Sequence, residues 1–266
     1  MLTRTSPALL AVGSLVLLYL IFPNVVIVPM SLSSAPHFQF PPPGLSLRWY
    51  EQFFSDARWI DSLVVSVRVG VLATVLSVLL GTGAAFGIAR GRLPTPGAVR
   101  ALLLAPLVTP YVIIAAGLYV LYVRLRLIDT EVGLALAHTL LGIPVVMIAV
   151  SAAMRGARRE LEEAAMSLGA TPRQTFFKVT LPLVRPGILT GALFAFITSF
   201  DEVIIAVFVS GVHSKTLPMK MWDGVRTEIS PVLTAVSTIL IALSIGALVV
   251  IELLRRHRRR AMAAAS

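Results

Sequence analysis

Two adjacent carboxylates, Asp201 and Glu202, stand within an otherwise apolar stretch of the chain. The uncharged runs 186–200 and 203–214 flank them. An ionised carboxylate at the centre of a bilayer costs about 2.5–3.5 kcal/mol on insertion scales, so such groups face a bundle interior or water. If these two runs form one membrane helix, the fifth along the chain, the pair lies about two-thirds of the way along that helix. In this position the two carboxylates could attract a cation to a transport path.

Arg68 offers the same carboxylates an alternative role. It lies about 10 Å along the second apolar helix from Asp61, and Glu202 lies at a matching distance from Val209. Adjacent residues on a helix diverge by about 100°, so one carboxylate can pair with Arg68 while the other faces the path. The sequence leaves open both interpretations, a cation-attracting site and a structural ion pair.

The residues of enzyme and metal sites occur without their usual companions. The four histidines have no partner at ligand spacing, the chain contains no cysteine, and His138 has no carboxylate or thiol companion to make it a metal ligand. We therefore expect His138 to fill a packing role. No GxSxG, HExxH or GxxxxGK[ST] motif is present. The sequence predicts no catalytic residue, no metal site and no nucleotide loop in this chain.

The elements that position these residues are membrane helices. Of 266 residues, 57% are apolar and 14% are charged, against roughly a quarter charged in an average soluble domain. A span needs about 20 mainly apolar residues to cross roughly 30 Å of hydrocarbon. Five runs qualify outright, and a sixth qualifies if it tolerates the acidic pair: 5–47, 69–89, 101–123, 132–154, 229–251 and, with the pair, 186–214. The prediction is an all-α, polytopic membrane protein with six transmembrane helices.

Charge distribution predicts the orientation of these helices. With the N-terminus inside, 15 of the 23 basic residues fall in cytoplasmic segments, so both termini and the loop 155–186 are expected in the cytoplasm. The first run could be a signal peptide, but its apolar core is longer than the 7–15 residues of such a segment, which favours a retained helix. The net charge of +10 includes a basic cluster at 255–260. This cluster is expected to anchor the last helix beside anionic lipid, and not to bind nucleic acid.

Proline, glycine and aromatic patterns refine the helices. Ser46 is expected to cap a short amphipathic helix at the membrane surface, containing Trp49, Tyr50, Phe53, Phe54 and Trp59. GxxxG patterns at 83–87 and 187–191 predict close helix packing. Pro106, Pro110 and Pro144 indicate breaks in helices three and four, of the kind that face protein or a water-filled cavity.

The loop 155–186 is predicted to fold as helix–turn–helix. Residues 160–168 are mostly strong helix formers, and Gly169 supplies a left-handed C-cap. Thr171 then caps a second helix that starts at Pro172, with Gln174 completing a capping box. Pro182 is expected to end that helix. Four apolar side chains of the loop can either contact another protein or pack on the chain's own helix ends: Met166, Leu168, Phe176 and Phe177.

Residues of this loop resemble a known family motif. Glu163-Ala164-Ala165, with Gly169 four residues after Ala165 and then Leu181-Pro182, resembles the EAA loop of ABC importer inner-membrane permeases. Further segments over residues 60–255 are similar to the second permease subunit of the spermidine/putrescine subfamily: Ser62-Leu63, 106–110, 199–202, Leu217-Pro218, Met221-Trp222 and 229–231. The resemblance implies a type-1 importer permease fold over 60–255, preceded by a first helix and interfacial segment at 1–59 and followed by a basic tail at 256–266.

The resemblance also implies a function and partners. The EAA loop of the family docks on an ATPase subunit, so Glu163, Ala164, Ala165 and Gly169, with Leu181 and Pro182, are the expected coupling residues. A second permease subunit, two ATP-binding subunits and a periplasmic solute-binding protein would complete the system in the bacterial inner membrane, with ATP and magnesium used by the ATPase and no cofactor in this chain.

A polyamine is the substrate that the resemblance implies, although the subfamily often carries Asp-Asp where this chain has Asp201-Glu202. Two other transport functions remain open: uptake of another small amine or organic ion, and a proton-coupled secondary transporter. Six helices without an evident repeat are few for the latter class. A membrane-embedded hydrolase finds no catalytic motif.

Overall fold

A computed structural model describes residues 6–91, 95–227 and 230–246. The helices are α1 (Pro7–Ser31), α2 (Arg48–Ser55), α3 (Ala57–Arg90), α4 (Pro96–Val108), α5 (Tyr111–Leu125), α6 (Glu131–Gly156), α7 (Arg159–Ser167), α8 (Pro172–Thr175), α9 (Leu181–Phe200), α10 (Ile204–Val209), α11 (Leu217–Thr227) and α12 (Val232–Gly246). A π-helical turn, Phe176–Thr180, joins α8 to α9. Within the described ranges the only β-pairing is a bridge between Ser33 and Leu45. The all-α prediction is confirmed.

The count of six spans is not confirmed, although each predicted span overlaps a helix or a helix pair among the described residues. Four helices are long and apolar enough to cross a membrane, namely α1, α3, α6 and the continuous helix Pro172–Phe200. The α4–α5 pair makes a fifth if it is counted as one span. The last predicted span along the chain, 229–251, overlaps α12, and part of it lies outside the described residues. The predicted basic cluster 255–260 and the tail 256–266 also lie outside them.

The third predicted span is bent by 102° between α4 and α5. The chain leaves α4 at Thr109, whose backbone is extended, and α5 starts after Pro110. Proline has no N–H to continue the helical ladder and disfavours helical backbone at the residue before it, which accounts for the break. Pro106 and Pro144 lie inside α4 and α6, so of the three prolines only Pro110 separates two helices.

One compact unit, Asp61–Trp222, is organised around α6. Val146 and Val150 of α6 are fully buried, together with Val184 of α9. A Cβ at Gly191 would lie 3.0 Å from Val146 Cα, so glycine there permits the close approach of α9 to α6. The 187–191 pattern therefore packs as predicted. A Cβ at Gly83 or Gly87 would meet no atom within 4 Å, so the 83–87 pattern makes no such contact within the described chain.

The second unit comprises the described residues of Met1–Ile60 and Asp223–Ser266. Here Trp49 Nε1 donates a hydrogen bond to the Ser33 carbonyl oxygen at 2.8 Å, and Tyr50 Oη lies 2.6 Å from Ser31 Oγ. These contacts fix the amphipathic helix α2 against the segment that follows α1. The predicted cap is wrong by one residue, because α2 has Leu47 at its N-cap and Ser46 Oγ accepts from Arg48 N. Trp59 belongs to α3 and not to α2.

Candidate functional site

The segment from α7 to Phe176, directly after α8, which we call the elbow (159–176), is fixed by its own caps. Gly169 has φ +88°, the left-handed conformation predicted for it. Gly169 N donates to the Met166 carbonyl and Ala170 N to the Ala165 carbonyl, both at 3.0 Å. This pair of bonds is the Schellman arrangement that ends a helix on a glycine. The turn between the two arms of the elbow is therefore determined by local sequence.

The second arm of the elbow begins with the predicted capping box. Gln174 N donates to Thr171 Oγ1 at 3.3 Å, and Thr171 N donates to Gln174 Oε1 at 2.9 Å. Pro172 occupies the first turn, where its missing N–H leaves no hydrogen bond unmade. The helix–turn–helix prediction is confirmed for the end of the first arm and the start of the second.

The prediction that Pro182 ends the second arm is wrong. The backbone passes from α8 through the π-helical turn Phe176–Thr180 into α9 without a break. Leu181 N donates to the Phe176 carbonyl, an i→i−5 bond, and Pro182 follows in the first turn of α9. The wider π turn rearranges the hydrogen-bond ladder just before the residue that cannot donate. The second arm of the elbow and α9 are consequently one continuous helical rod.

The elbow has an inward face and an outward face. Glu162 on the first arm binds Arg90 at the end of α3, with Arg90 Nε at 3.1 Å and Nη2 at 3.3 Å from its carboxylate oxygens. Phe176 packs edge-to-face on Phe86, with ring centroids 5.0 Å apart. In contrast, Leu168 is 89% exposed. Phe176 therefore packs on the chain's own helix end, whereas Leu168 is left accessible and its predicted contact with another protein stays a prediction.

The six predicted coupling residues lie on or beside the elbow, and none of them is buried. Glu163, Ala164, Gly169 and Pro182 are exposed, whereas Ala165 and Leu181 are partly buried. Glu163 makes an exposed ion pair with Arg159 at 3.1 Å. Their side chains and backbone are therefore accessible to a second protein.

The sequence predicts the acidic pair within one helix. The structure instead places it between two helices. α9 ends at Phe200, Asp201 is its C-cap, and α10 begins at Ile204. The Glu202 carboxylate accepts from Ile205 N at 2.9 Å and from Ala206 N at 3.2 Å. These bonds satisfy two of the free amides at the start of α10 and so stabilise a new helix start at this point. α9 alone has the length of about 30 Å that a span needs.

Glu202 also faces a buried histidine, a contact that the sequence does not predict. His138 Nδ1 lies 2.8 Å from Ser199 Oγ, and His138 Nε2 lies 3.5 Å from Glu202 Oε2. Both His138 and Glu202 are buried. The expectation that His138 lacks a carboxylate companion is therefore wrong. Among the described residues no group of three or more possible ligands is arranged to hold a metal ion.

Arg68 pairs with a different carboxylate from those predicted. Arg68 Nη1 lies 3.4 Å from Glu131 Oε1, and both side chains are partly exposed. Asp201 is exposed and has no ion-pair partner within the described part of the chain. The proposed ion pair between Arg68 and the acidic pair is thus absent from the structure. Adjacent in sequence, the two carboxylates differ in environment: Glu202 is enclosed and Asp201 is accessible.

A third carboxylate, Asp129, binds the loop that follows α10. It accepts hydrogen bonds from Gly211 N, His213 N and Ser214 N, from Ser214 Oγ and from His213 Nδ1, at 2.8–3.0 Å. Burial raises the pKa of Asp129, but the hydrogen bonds from His213 and Ser214 outweigh this and lower it from 3.8 to about 2. Sequence reasoning missed Asp129, because its partners are more than 80 residues away.

The sequence of this chain matches a known protein family and several of its members. The model of the binding-protein-dependent transport system inner membrane component matches residues 77–262. The putrescine transport system permease protein PotI of Escherichia coli K12 is 36% identical over 205 residues, covering 74% of this chain and 73% of PotI. The spermidine/putrescine transport system permease protein PotC of Haemophilus influenzae is 29% identical over 238 residues, covering 90% of this chain and 92% of PotC.

Solved structures agree on the fold. A chain of a bacterial ABC transporter involved in the import of the acidic polysaccharide alginate superposes with a TM-score of 0.69, covering 96% of this chain and 98% of that one. A chain of an amino acid ABC transporter superposes with a TM-score of 0.57, covering 76% and 96% respectively. Both are 18% identical to this chain, so the similarity concerns the fold alone.

Proposed function

The chain belongs to the family of binding-protein-dependent transport system inner membrane components, and on this premise we propose that it conducts a polyamine across the bacterial inner membrane. It is a multi-pass membrane permease of an ABC importer and so a transport component, not an enzyme. Its partners in the proposal are a second permease subunit, two ATP-binding subunits and a periplasmic solute-binding protein. Both termini and the elbow face the cytoplasm.

The exposed Asp201 is the observation that carries the choice of a cation. Its carboxylate lies at the end of a span, accessible and without an ion-pair partner among the described residues. An accessible carboxylate at a membrane path attracts ammonium groups and repels anions. Two relatives named for putrescine or spermidine transport, PotI and PotC, support the same substrate class. In this proposal Glu202 supports the local backbone, while Asp201 faces the cation.

The elbow would couple this path to ATP hydrolysis in the partner subunits, which use ATP and magnesium while this chain binds no cofactor. Closure of two ATP-binding subunits has to displace membrane helices, and a stiff connection transmits displacement better than a flexible loop. The elbow meets this requirement because its caps fix the turn and its second arm continues into α9. Rigid-body rocking of the spans then alternates access to the two sides.

Reconstitution of the complete assembly tests the proposal. Proteoliposomes that contain this chain, its partner permease and the ATP-binding subunits, with the solute-binding protein outside, should take up radiolabelled putrescine only when ATP is enclosed. Uptake driven by a proton gradient without ATP would support a secondary transporter instead. ATP hydrolysis stimulated by the loaded binding protein, without putrescine uptake, would retain the importer and reject the polyamine.

A further inference from the structure

The pair Arg90–Glu162 joins a membrane span to the elbow at a half-enclosed position. The Arg90 side chain is 27% exposed and the Glu162 side chain is 14% exposed. Two nitrogens of one guanidinium contact two oxygens of one carboxylate, at 3.1 and 3.3 Å. A bidentate, charge-assisted pair of this kind fixes orientation as well as distance. It therefore constrains how α7 sits on the end of α3.

A second contact joins the same face of α3 to the other arm of the elbow. Phe86 lies one helical turn before Arg90, so both side chains project from one face of α3. Phe86 contacts Phe176, which follows directly after α8, whereas Arg90 contacts Glu162 in α7. A cavity of about 200 Å³ lies between these contacts and is lined by Phe86, Arg90, Glu162 and Phe176. Both arms of the elbow are thus attached to α3 without a covalent connection.

We propose that Arg90, Glu162, Phe86 and Phe176 form a clamp through which displacement of the elbow is delivered to α3. The elbow is already connected along the chain to α6 and α9, so the clamp adds a third span to the moving group. Arg90 and Glu162 act as positioning residues in this proposal, because they contact each other and act through α3 and α7. The inference rests on the proposed function, since it concerns how an ATP-driven displacement reaches the spans.

The neighbouring ion pair Arg159–Glu163 differs from the Arg90–Glu162 pair of the clamp in exposure and in the elements that it joins. Its side chains are 69% and 58% exposed, and both belong to the same helix, α7. Exposed pairs of this kind contribute little, and they connect no two elements. Glu163 is therefore left on the outward face for a partner, while Glu162, the preceding residue, is committed to α3. Adjacent acidic residues thus serve opposite sides of the elbow.

Charge exchange in the complete assembly tests the clamp. Arg90→Glu and Glu162→Arg should each lower the putrescine taken up per ATP hydrolysed by at least about fivefold, the lower end of common coupling effects. The double variant Arg90→Glu/Glu162→Arg restores an opposite-charge pair and should recover most of the ratio. A simple loss of folded protein lowers uptake and hydrolysis together and leaves the ratio unchanged.

Arg100→Glu is the matched control. Arg100 lies in α4, is exposed, and falls in a segment with the same predicted orientation as Arg90, so its exchange makes the same charge change without touching the clamp. This variant should keep the wild-type ratio. The clamp is rejected if Arg90→Glu also keeps it, or if the double variant remains as uncoupled as the single ones. Loss of the ATP-binding subunits from purified Glu162→Arg would also reject it, because Glu162 would then contact the partner.

The test separates the clamp from the function on which it rests. If wild-type proteoliposomes show no ATP-driven putrescine uptake, the substrate proposal fails. The clamp is then judged by whether the loaded solute-binding protein still stimulates ATP hydrolysis in each variant. Stimulation lost in both single variants and regained in the double variant would support the clamp for any substrate.

Discussion

Glu202 Oε2 lies 3.5 Å from His138 Nε2, with both side chains buried between α6 and the break that separates α9 from α10. The same carboxylate caps α10 through two backbone amides. Burying a carboxylate is costly unless it accepts hydrogen bonds, and the amides of Ile205 and Ala206 supply such bonds to Glu202. Glu202 therefore has a structural role that its neighbour Asp201 does not share.

The two carboxylates should respond differently to neutralisation. Asp201→Asn is expected to lower putrescine uptake while membrane abundance stays at the wild-type level, because Asp201 is exposed. Glu202→Ala should instead lower abundance, since loss of a helix cap costs about 0.5–2 kcal/mol. Immunoblotting of membranes and uptake assays measure the two effects separately. Adding Arg68→Gln should not rescue Glu202→Ala, because Arg68 pairs with Glu131; a rescue would contradict this assignment.

Gly169 should tolerate only residues that accept left-handed backbone. Its φ of +88° disfavours a Cβ, although no atom lies within 4 Å of the place a Cβ would occupy. The penalty is therefore conformational, about 1–2 kcal/mol for a typical L-residue and larger for a β-branched one. Gly169→Val should abolish ATP-dependent uptake while the spans still insert. Gly169→Asn is the control, because asparagine visits this conformation readily; equal activity of both variants would contradict a role for the turn.

Asp129 should stabilise the loop after α10 at neutral pH and lose this effect in acid. Its pKa is lowered from 3.8 to about 2, so the stabilisation is complete above about pH 4 and disappears as pH falls through 2. Asp129→Asn should lower the Tm in detergent at pH 7, and the gap to wild type should narrow as pH falls below 4. His213→Ala should cost less, since it removes only one of the five hydrogen bonds. A gap independent of pH would contradict this role of the carboxylate.

The predicted orientation can be tested by labelling, since the chain has no cysteine of its own. A cysteine introduced at Ala170 should not react with an impermeant maleimide added to intact cells, because the elbow is expected inside. A cysteine at Val212, which is 84% exposed in the loop after α10, should react. The reverse pattern would overturn the predicted topology.

The two GxxxG patterns should differ in their tolerance of larger side chains. Gly191→Leu inserts atoms where even a Cβ would lie 3.0 Å from the Val146 backbone, and overpacking of this kind costs typically about 1–3 kcal/mol. Its membrane abundance and Tm should fall. Gly83→Leu should leave the fold of the chain intact, because that position is open within the described residues. Equal losses at both sites would contradict the packing described here.

The features that the sequence predicts well are those that depend on a few consecutive residues. The turn at Gly169 and the capping box at Thr171 follow from residue types within four positions of each other, and both occur as expected. The apolar runs likewise predict the membrane helices, because length and composition are sufficient for that purpose.

The features that the sequence does not predict depend on residues far apart in the chain. His138 and Ser199 are 61 positions apart, and Arg68 and Glu131 are 63 apart. Matching the depths of Arg68 and Glu202 along two helices could not reveal which faces meet. The prediction that Pro182 ends a helix fails for a different reason. A proline ends a helix only when the preceding turn cannot accommodate it.

The π-helical turn Phe176–Thr180 has a consequence for insertions and deletions in evolution. Each residue added to an α-helix rotates everything beyond it by about 100°, and this would turn Gly191 away from α6. A π turn absorbs one extra residue locally and leaves the rotation of the flanking helices nearly unchanged. Loss of one residue between 176 and 180 should therefore convert the turn to α-helix with both flanks still in phase. A deletion one turn further into α9 would put the span out of phase with the elbow.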